Sequence, residues 1–384
     1  MIISALRIPG CSANAASVRI LPVLVSSHSS AKTPGLIDPV VTARMPVFAR
    51  LKILPDQQSS VKIKRLKDTS DTFDIPFPEG KAFDVVGFGL NAVDHLCVVP
   101  HYPRFDTKTE ILHYYKLAGG QAATTVTFVS RMGLKGKYIG KVGSDDIGEF
   151  SLRSLRSENI DTSSVLVQKG ARNQYAFIII DKNSGERTIL WERDRRLSFR
   201  DAELRREDIC AGRVLHLDGH DHAAAIRAAT WAQEEGIPVV IDLDKVVPRS
   251  KELIGKVDFL ITSSNFPPDL TGIADPIESL LALRQYCDGF LAVTLGAQGA
   301  MAVVGDQCVR FPAFKVHAVD TTGAGDIFHG GFIYALLQNW SLDQCMSFSN
   351  AAAGLNCTQL GARAGIPPLS EILQLANSGS YRHP

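Results

Sequence analysis

Short apolar runs alternate with segments of helical periodicity from Phe83 onward, and this alternation narrows the possible folds more than any other feature of the chain. Several runs are apolar throughout, which is typical of strands in a parallel sheet whose two faces are both covered. Helix-like spacing occurs between them, for example in residues 121–133, 222–236 and 341–357. This repeated order predicts an α/β fold, a doubly wound α/β/α sandwich within residues 81–375. The predicted strands are FDVVGFG, KYIGKVG, RVLHLDG, PVVIDLD, VDFLITS, FLAVTLG and MAVVG.

Two segments interrupt this order, at about residues 95–118 and at residues 165–194. Both alternate apolar and polar residues at period two, and the second contains KNSGE, a hairpin-type turn. Together they predict a small antiparallel sheet that projects from the main body as a lid. A lid beside a cleft excludes water from it. An ordinary edge extension of the main sheet is the alternative.

The first 80 residues differ from the rest, and residues 1–80 are predicted to form a leader and an extended, partly disordered arm. Residues 1–37 contain no Asp or Glu, a composition that resembles an organellar transit peptide. A true start at Met45 explains the same composition equally well. The protein is therefore expected in the cytoplasm, or in an organelle if residues 1–44 are a transit peptide. Seven cysteines without CxxC spacing favour reduced thiols over disulfides or a zinc site.

Charge excludes several classes of partner. The 41 basic and 40 acidic residues nearly balance, so there is no global basic surface for nucleic acid or for an anionic membrane. The chain also has no uncharged apolar run long enough to span a bilayer. We therefore expect a small ligand in a local pocket, with neither nucleic acid nor membrane as a partner.

The stretch VHAVDTTGAGDIFHGGFIYALL, residues 316–337, places glycines before an apolar helix predicted over residues 326–338. The first turn of a helix has unpaired N–H donors and a partial positive charge. Small residues at 322–325 leave those donors open, so this loop is expected to hold an anion such as phosphate. Asp326 then lies beside the phosphate and accepts a proton. The alternative is that Asp326 only caps the helix, although a cap does not require such a run of small residues.

A phosphate loop with a carboxylate at its edge suits phosphoryl transfer to a hydroxyl. VDTTGAGDIFHGGF closely resembles the D-T-x-G-A-G-D-x-F signature of the PfkB (ribokinase-like) carbohydrate kinase family. The resemblance implies a ribokinase-like fold, ATP as donor and Asp326 as the catalytic base. The other residues with implied roles are Gly323, Ala324 and Gly325, whose backbone would form the anion hole, and Asp320 and Thr322, near the family's monovalent-cation (K⁺) site.

Further motifs occur in the family's order, and two of them imply an acceptor site. GFGLNAVDHL is similar to the family's first strand and its Asn-x-x-Asp, so Asn91 and Asp94 would hydrogen-bond sugar hydroxyls. AGGQAATTV resembles the glycine pair before the first helix, where Gly119 and Gly120 would let the backbone approach the sugar. KVGSDDIGE resembles the family's G-x-D-x-x-G turn. The likeness covers residues 83 to about 370.

Two later motifs imply a nucleotide site. VTLGAQGAM resembles the T-x-G-x-x-G loop, in which Thr294, Gly296 and Gly299 would contact ATP. NAAAGLNCTQLGARAG resembles the late helix and turn that lie against the adenine, beginning at Asn350.

The chain departs from the family at two places. Thr124 stands where ribokinases often have Asn in the acceptor site. The N-x-x-E motif that is linked to the magnesium shell is absent, because Ser263 and Phe266 occupy its two positions. Mg²⁺ must still bridge the ATP phosphates, and Asp242 or Asp244 is the expected substitute ligand.

Three other features have rival interpretations. GFGLNA fits a dinucleotide fingerprint, but no helical pattern follows it. HLDGHDH, residues 216–222, is a conceivable metal site; a strand end facing the cleft is the favoured interpretation, with Asp218 towards the substrate. WERDRRLSFR, residues 191–200, is a basic run that either meets a substrate phosphate or is solvated.

The sequence therefore predicts ATP-dependent phosphorylation of a hydroxyl on a small sugar or sugar-like substrate. A nucleoside of the adenosine type is the alternative acceptor, and a catalytically silent kinase-like scaffold is the alternative of another class. Lids of this family often pair between subunits, which implies a possible homodimer through the lid.

Overall fold

The computed structural model describes residues 66–382, apart from the side chain of Asp201. The predictions for residues 1–65, including the leader, lie outside the described residues. In the described part the strands are β1 (Phe83–Phe88), β2 (Ala92–Val99), β3 (His113–Gly119), β4 (Gly136–Ile139), β5 (Lys141–Gly143), β6 (Leu166–Gln168), β7 (Tyr175–Asp181), β8 (Arg187–Glu192), β9 (Gly212–Leu217), β10 (Val239–Leu243), β11 (Phe259–Ser263), β12 (Phe290–Thr294), β13 (Ala300–Val304) and β14 (Gln307–Phe311).

Ten α-helices accompany these strands between residues 66 and 382. They are α1 (Gln121–Arg131), α2 (Asp146–Arg156), α3 (Arg206–Ile209), α4 (His222–Glu234), α5 (Ser250–Ile254), α6 (Phe266–Thr271), α7 (Pro276–Ala282), α8 (Ala324–Leu337), α9 (Leu342–Asn356) and α10 (Leu369–Ser378). None of these helices is long and apolar enough to cross a bilayer.

The central sheet has eight strands in the order β14-β13-β12-β11-β10-β9-β1-β4. The six strands from β12 to β4 are parallel, and β13 and β14 complete one edge as an antiparallel hairpin. Successive side chains of β1 enter two different cores. Val85 belongs to the core that includes residues of α1, α8 and α9, whereas Val86 belongs to the core that includes residues of α4 and α7. Burial on both faces explains the apolar runs. The predicted doubly wound α/β/α sandwich is confirmed.

Close packing around α8 explains the glycine pair in its first half. A Cβ at Gly330 would lie 2.7 Å from Cδ1 of Phe128 on α1, and one at Gly331 would lie 3.0 Å from Cα of Ser349 on α9. Gly330 and Gly331 therefore allow the two neighbouring helices to approach. The start of α9 has the predicted capping box, in which Ser341 and Gln344 cap each other's backbone N–H groups.

The predicted lid is a separate four-stranded sheet with the order β3-β2-β7-β8. Two antiparallel hairpins, β2–β3 and β7–β8, are joined by a parallel pair, β2–β7, so the prediction of a purely antiparallel sheet is wrong for this pair. The second predicted lid segment began too early, because β6 pairs with β5 and not with the lid. The inner face packs as a small core with Leu360 of the main body. An edge extension of the main sheet is therefore excluded.

Residues 66–80, the last part of the predicted arm, lie against the main body. Thr72 forms a β-bridge with Ser341, and the Phe73 ring makes edge contacts with three core rings. The three partners are Phe259, Phe290 and Phe332. The six cysteines in the described part are all free, as the sequence predicts.

Candidate active site

The candidate site lies where the lid meets the carboxyl ends of the parallel strands. Asn91 follows β1, Asp218 follows β9 and Asp242 lies near the end of β10. Since these strands are parallel neighbours, their carboxyl ends form one edge of the sheet, where α/β proteins bind ligands. The lid strand β2 begins directly after Asn91 and carries Asp94 towards the same edge.

Asp326 lies in the first turn of α8 without capping it. The residue before the helix, Gly323, has a φ of 77°, a left-handed conformation that favours glycine. The helix has no side-chain cap, and within residues 66–382 the Asp326 carboxylate has no hydrogen-bond partner. The interpretation of Asp326 as a mere cap is therefore wrong. Apart from its chain neighbours and the backbone of α8 itself, no atom lies within 4 Å of the position that a Cβ at Gly325 would take, so space is open beside the helix N-terminus.

Four carboxylates share this cleft. Burial raises the pKa of Asp326 well above its usual range, and Asp242, Asp218 and Asp94 raise it further, while Arg363 opposes them. Burial also raises the pKa of Asp94 to about 6, again opposed by Arg363. Such raised values occur when several carboxylates lie close together away from water. Perturbed carboxyls in a cleft are typical of functional sites.

The acceptor-side residues form one connected network. The Asn91 amide donates to Ser151 Oγ (3.0 Å) and accepts from Arg363 Nη2 (2.8 Å). Asp94 fills the space beside Gly119, where a Cβ would lie 2.1 Å from its Oδ2. Gly120 has a φ of 95° and packs against the backbone of Asn91, so a side chain does not fit there. The glycine pair is thus required by close approach to Asp94 and to the backbone of Asn91, while the predicted approach to a sugar stays a prediction.

Two predicted acceptor residues lie behind this surface. Thr124 is fully buried, and its hydroxyl accepts from Arg363 Nε at 3.4 Å. The Asp218 carboxylate accepts from the backbone N–H groups of Leu90 (2.5 Å) and Ala122 (3.2 Å). Asp218 therefore ties the strand exit after β1 to the first turn of α1.

The predicted nucleotide residues gather at the next part of the edge. Thr294 ends β12 opposite Ser263 of β11. Gly299 has a φ of 88°, and a Cβ there would lie 2.1 Å from the carbonyl oxygen of Phe311. That oxygen accepts from the amide of Asn350 at 3.0 Å. Gly299 and Asn350 thus approach the same carbonyl, whereas Gly296 (φ 56°) faces open space.

The two residues predicted near a monovalent cation form a closed turn. The Asp320 carboxylate accepts from the backbone N–H and the hydroxyl of Thr322, at 2.9 and 2.7 Å, and from the N–H of Gly361 at 2.8 Å. These bonds tie the loop before α8 to the turn that carries Arg363.

Asp242 is the buried carboxylate on the nucleotide side. Its Oδ2 accepts from Gln121 Nε2 at 3.2 Å, and its Oδ1 lies 3.8 Å from His329 Nε2. Burial raises its pKa. Phe266, at the missing Glu position, is fully buried in the core, and Ser263 lies half-buried at the edge of the sheet.

The histidine run does not form a metal site. His216 is buried in the core, whereas His220 and His222 lie 2.9 and 3.2 Å from Gln121 Oε1 and Ser250 Oγ. Within residues 66–382 no group of three or more His, Cys, Asp and Glu could hold a metal ion.

The basic run at residues 191–200 is largely paired with carboxylates. Arg193, Arg196 and Arg200 contact Asp221, Asp194 and Glu203. Arg196 and Arg200 have side chains that are 56% and 79% exposed, in agreement with the solvated interpretation, whereas the Arg193 side chain is mostly covered.

Sequence reasoning missed Arg363 and Gln121. Arg363 lies in GARAG, at the end of a motif that was interpreted only as an adenine-side turn. Gln121 bridges Asp242 and His220. Its position directly after the glycine pair was the signal, since it opens a helix whose N-terminus faces the cleft.

A strand edge with an open helix N-terminus, a buried carboxylate and a small sheet beside it suits phosphoryl transfer to a hydroxyl. The model of the pfkB family carbohydrate kinases matches residues 83–369, and the chain belongs to that family. It is therefore a kinase with an alcohol group as acceptor.

Named relatives of the chain are sugar and nucleoside kinases. A ribokinase of Haemophilus influenzae is 30% identical over 302 residues, which cover 77% of this chain and 98% of the relative. A nucleoside kinase of Methanothermobacter thermautotrophicus is 26% identical over 297 residues, covering 76% and 94%. The structure of Arabidopsis thaliana ribokinase complexed with ribose and ATP has a TM-score of 0.66 at 21% identity, covering 77% of this chain and 99% of that one. This last likeness concerns the fold.

Proposed function

We propose that the protein transfers the γ-phosphoryl group of ATP to a hydroxyl of a small sugar or sugar-like substrate, with Asp326 as general base. The observation that carries this proposal is the Asp326 carboxylate, which has no hydrogen-bond partner within residues 66–382 and lies beside an open helix N-terminus. A raised pKa makes a carboxylate a stronger base, provided that it is ionised when the hydroxyl arrives.

The chain's own groups supply the remaining parts of this mechanism. Backbone N–H groups at residues 323–326 stabilise negative charge on the transferring group. Asn91 and Asp94 bind acceptor hydroxyls, and the lid excludes water that would otherwise compete as acceptor. Thr294, Gly296, Gly299 and Asn350 bind the nucleotide along the neighbouring strand ends.

Mg²⁺ fits the residues present if ATP supplies most of its ligands. Magnesium keeps several waters and usually takes only one or two protein carboxylates together with substrate phosphates. Asp242 is suited to hold it, because its carboxylate is buried at the carboxyl end of β10 and lies near the carboxylates of Asp244 and Asp218, both of which raise its pKa beyond the effect of burial. When bound, the ion neutralises charge on the phosphates. Asp320 and Thr322 would lie beside K⁺, should the enzyme use a monovalent cation.

A sugar is the proposed acceptor, and a nucleoside is the second candidate because a named relative is a nucleoside kinase. A panel of pentoses, hexoses, sugar acids and nucleosides with ATP and Mg²⁺, followed by ADP release, separates the two. If the purified protein binds ATP and phosphorylates none of these compounds, the result favours the interpretation of the chain as a catalytically silent kinase-like scaffold.

Asp326→Asn tests the proposed base. Loss of a general base lowers kcat by a factor of about 10² to 10⁴, and we expect that loss with folding and ATP binding retained. Asp258→Asn is the matched control. Asp258 is also a buried aspartate with a raised pKa, but it directly precedes β11 and so lies at the amino end of the strand, away from the site. Wild-type turnover by Asp326→Asn would exclude the proposed role.

We further propose that two copies pair through the outer face of the lid. This face exposes large apolar side chains, including Tyr114, Phe177 and Leu190, of which Leu190 is 56% exposed. They lie on the face opposite the small inner core, as the register shows. Light scattering should give a dimer mass for the wild type and a monomer mass for Leu190→Glu. A monomeric wild type would contradict this proposal.

A further inference from the structure

Arg363 is a buried cation that contacts only neutral oxygens. The residue is 4% exposed, and among the described residues no carboxylate oxygen lies within ion-pair distance of the guanidinium. Its nitrogens donate to Thr124 Oγ1 (3.4 Å), Ser154 Oγ (3.2 Å), Asn91 Oδ1 (2.8 Å) and the carbonyl oxygen of Gly119 (2.5 Å). Burying a charge in this way is costly unless other groups compensate it.

The four acceptors lie on three different elements and on the connection between β1 and β2, which meet beneath the lid. Asn91 directly precedes β2, and Gly119 ends β3, so these two mark where the first lid hairpin leaves and rejoins the body. Thr124 lies on α1 and Ser154 on α2. A planar guanidinium with donors in fixed directions suits such a junction better than a lysine ammonium does.

The compensating charge comes from carboxylates at longer range. Arg363 lowers the pKa of Asp94 and of Asp326, against the mutual repulsion of the cleft carboxylates. Burial in turn lowers the pKa of Arg363 itself to about 10. The other titratable groups that act on these three residues are Asp242 and Asp218 near Asp326, Asp320 near Asp94, and Tyr138 and Glu158 near Arg363.

We propose that Arg363 is a positioning residue for phosphoryl transfer, which fixes Asn91 and Gly119 at the root of the lid and supplies positive charge beneath the carboxylates of Asp94 and Asp326. It acts through these groups and does not touch the acceptor. The inference rests on the proposed function, because Asp94 and Asp326 are assigned their roles there.

Two substitutions separate the charge of Arg363 from its geometry. Arg363→Lys retains the positive charge and loses the planar set of guanidinium donors. KM for the acceptor should therefore rise about tenfold, which is the cost of roughly one good hydrogen bond to a charged group. The acid limb of the pH profile of kcat/KM should stay unchanged. Arg363→Gln loses both, so the same rise in KM should accompany a shift of the acid limb to higher pH by about one unit. A purely structural role would not move the acid limb.

Two controls keep the experiment decisive. Arg213, near the start of β9, is a partly exposed arginine that forms an ion pair with Asp84. The Arg213→Gln variant should have the acceptor KM and the pH profile of the wild type. If the Arg363 variants do not fold, Thr124→Val removes only the partner of Nε, and a severalfold rise in the acceptor KM is then expected. Folded Arg363→Gln with wild-type KM and pH profile overturns the proposal, and so does wild-type KM in Thr124→Val.

A readout without turnover distinguishes this inference from the proposed function. The carboxyl pKa of Asp94, measured by ¹³C NMR of aspartate-labelled protein and assigned with Asp94→Asn, should rise in Arg363→Gln and stay in Arg363→Lys. An inactive wild type would contradict the proposed function, but the change in the pKa of Asp94 could still be measured. An unchanged pKa of Asp94 in Arg363→Gln would contradict the inference about Arg363 and leave the proposed function untouched.

Discussion

Gly119 and Asp94 lie on paired lid strands, and the Asp94 carboxylate occupies the space that a side chain at residue 119 would need, with Oδ2 2.1 Å from the Cβ position. Gly119→Ala should therefore displace Asp94 from the acceptor site. We expect KM for the acceptor to rise at least tenfold, because a displaced charged hydrogen-bond partner costs about 1.5–3 kcal/mol. Steady-state kinetics with varied acceptor measures this rise.

Gly354→Ala is the matched control for that substitution. A Cβ at Gly354, on α9, would make only ordinary contact with Val316, 3.6 Å away. Its kinetics should equal those of the wild type. Equal acceptor KM values in the two variants would mean that Asp94 does not bind the acceptor.

Much of the fold was predictable because its determinants are local. The apolar runs identify parallel strands that are buried on both faces, and Ser341 with Gln344 identifies the start of α9. The pairing of β6 with β5 was not predictable, since a three-residue strand has too little pattern to indicate its partner. The parallel pair β2–β7 likewise joins strands about 80 residues apart in the chain.

The site was predictable only where a motif carries it. Asp326 and the glycines lie in contiguous signatures that reflect backbone requirements. Arg363 contacts residues up to 272 positions away, and nothing local distinguishes it from a surface arginine. Its role depends on burial beneath Asn91 and Gly119, which only the assembled fold determines.

The pH dependence of acceptor binding should follow Asp94. Burial raises its pKa to about 6, so the carboxylate is present above pH 6 and is lost as the pH falls through that value. A charged acceptor of hydrogen bonds binds hydroxyls more strongly than a neutral one. The acceptor KM should therefore rise as the pH falls below 6, and Asp94→Asn should have a high KM without this limb. A limb that persists in Asp94→Asn would assign the ionisation to another group.

Asp258 should limit stability at neutral pH. Burial raises its pKa to about 7, above its ordinary value of 3.8, although it accepts a hydrogen bond from the backbone N–H of Val239 at 2.8 Å. A carboxyl whose pKa is higher in the folded state than in the unfolded state does not destabilise the fold below about pH 4, because it is protonated in both states. Between about pH 4 and about pH 7 it ionises only in the unfolded state, so the free energy of unfolding decreases as the pH rises; above pH 7 it is ionised in both states and the decrease ends. Asp258→Asn should therefore add up to about 4 kcal/mol to the free energy of unfolding at pH 8.

Urea unfolding at pH 4 and pH 8 measures this gain. The stabilisation should be small at pH 4, increase up to pH 7 and then level off. A pH-independent gain would indicate that burial of the charge is not the cause.

The Phe73 side chain should anchor residues 66–80 to the hydrophobic core at a place remote from the candidate active site. Its ring is 2% exposed and contacts Phe259, Phe290 and Phe332 at centroid distances of 5.1–5.8 Å. Removal of a buried phenylalanine side chain costs about 3–5 kcal/mol, so Phe73→Ala should lower the free energy of unfolding by that amount. Phe259 and Phe290 begin β11 and β12, whose far ends reach the site, so kcat and KM of the folded fraction should stay unchanged. Phe105→Ala, at a fully exposed ring, is the control and should not alter stability. If Phe73→Ala has wild-type stability, residues 66–80 are not part of the folded unit in solution.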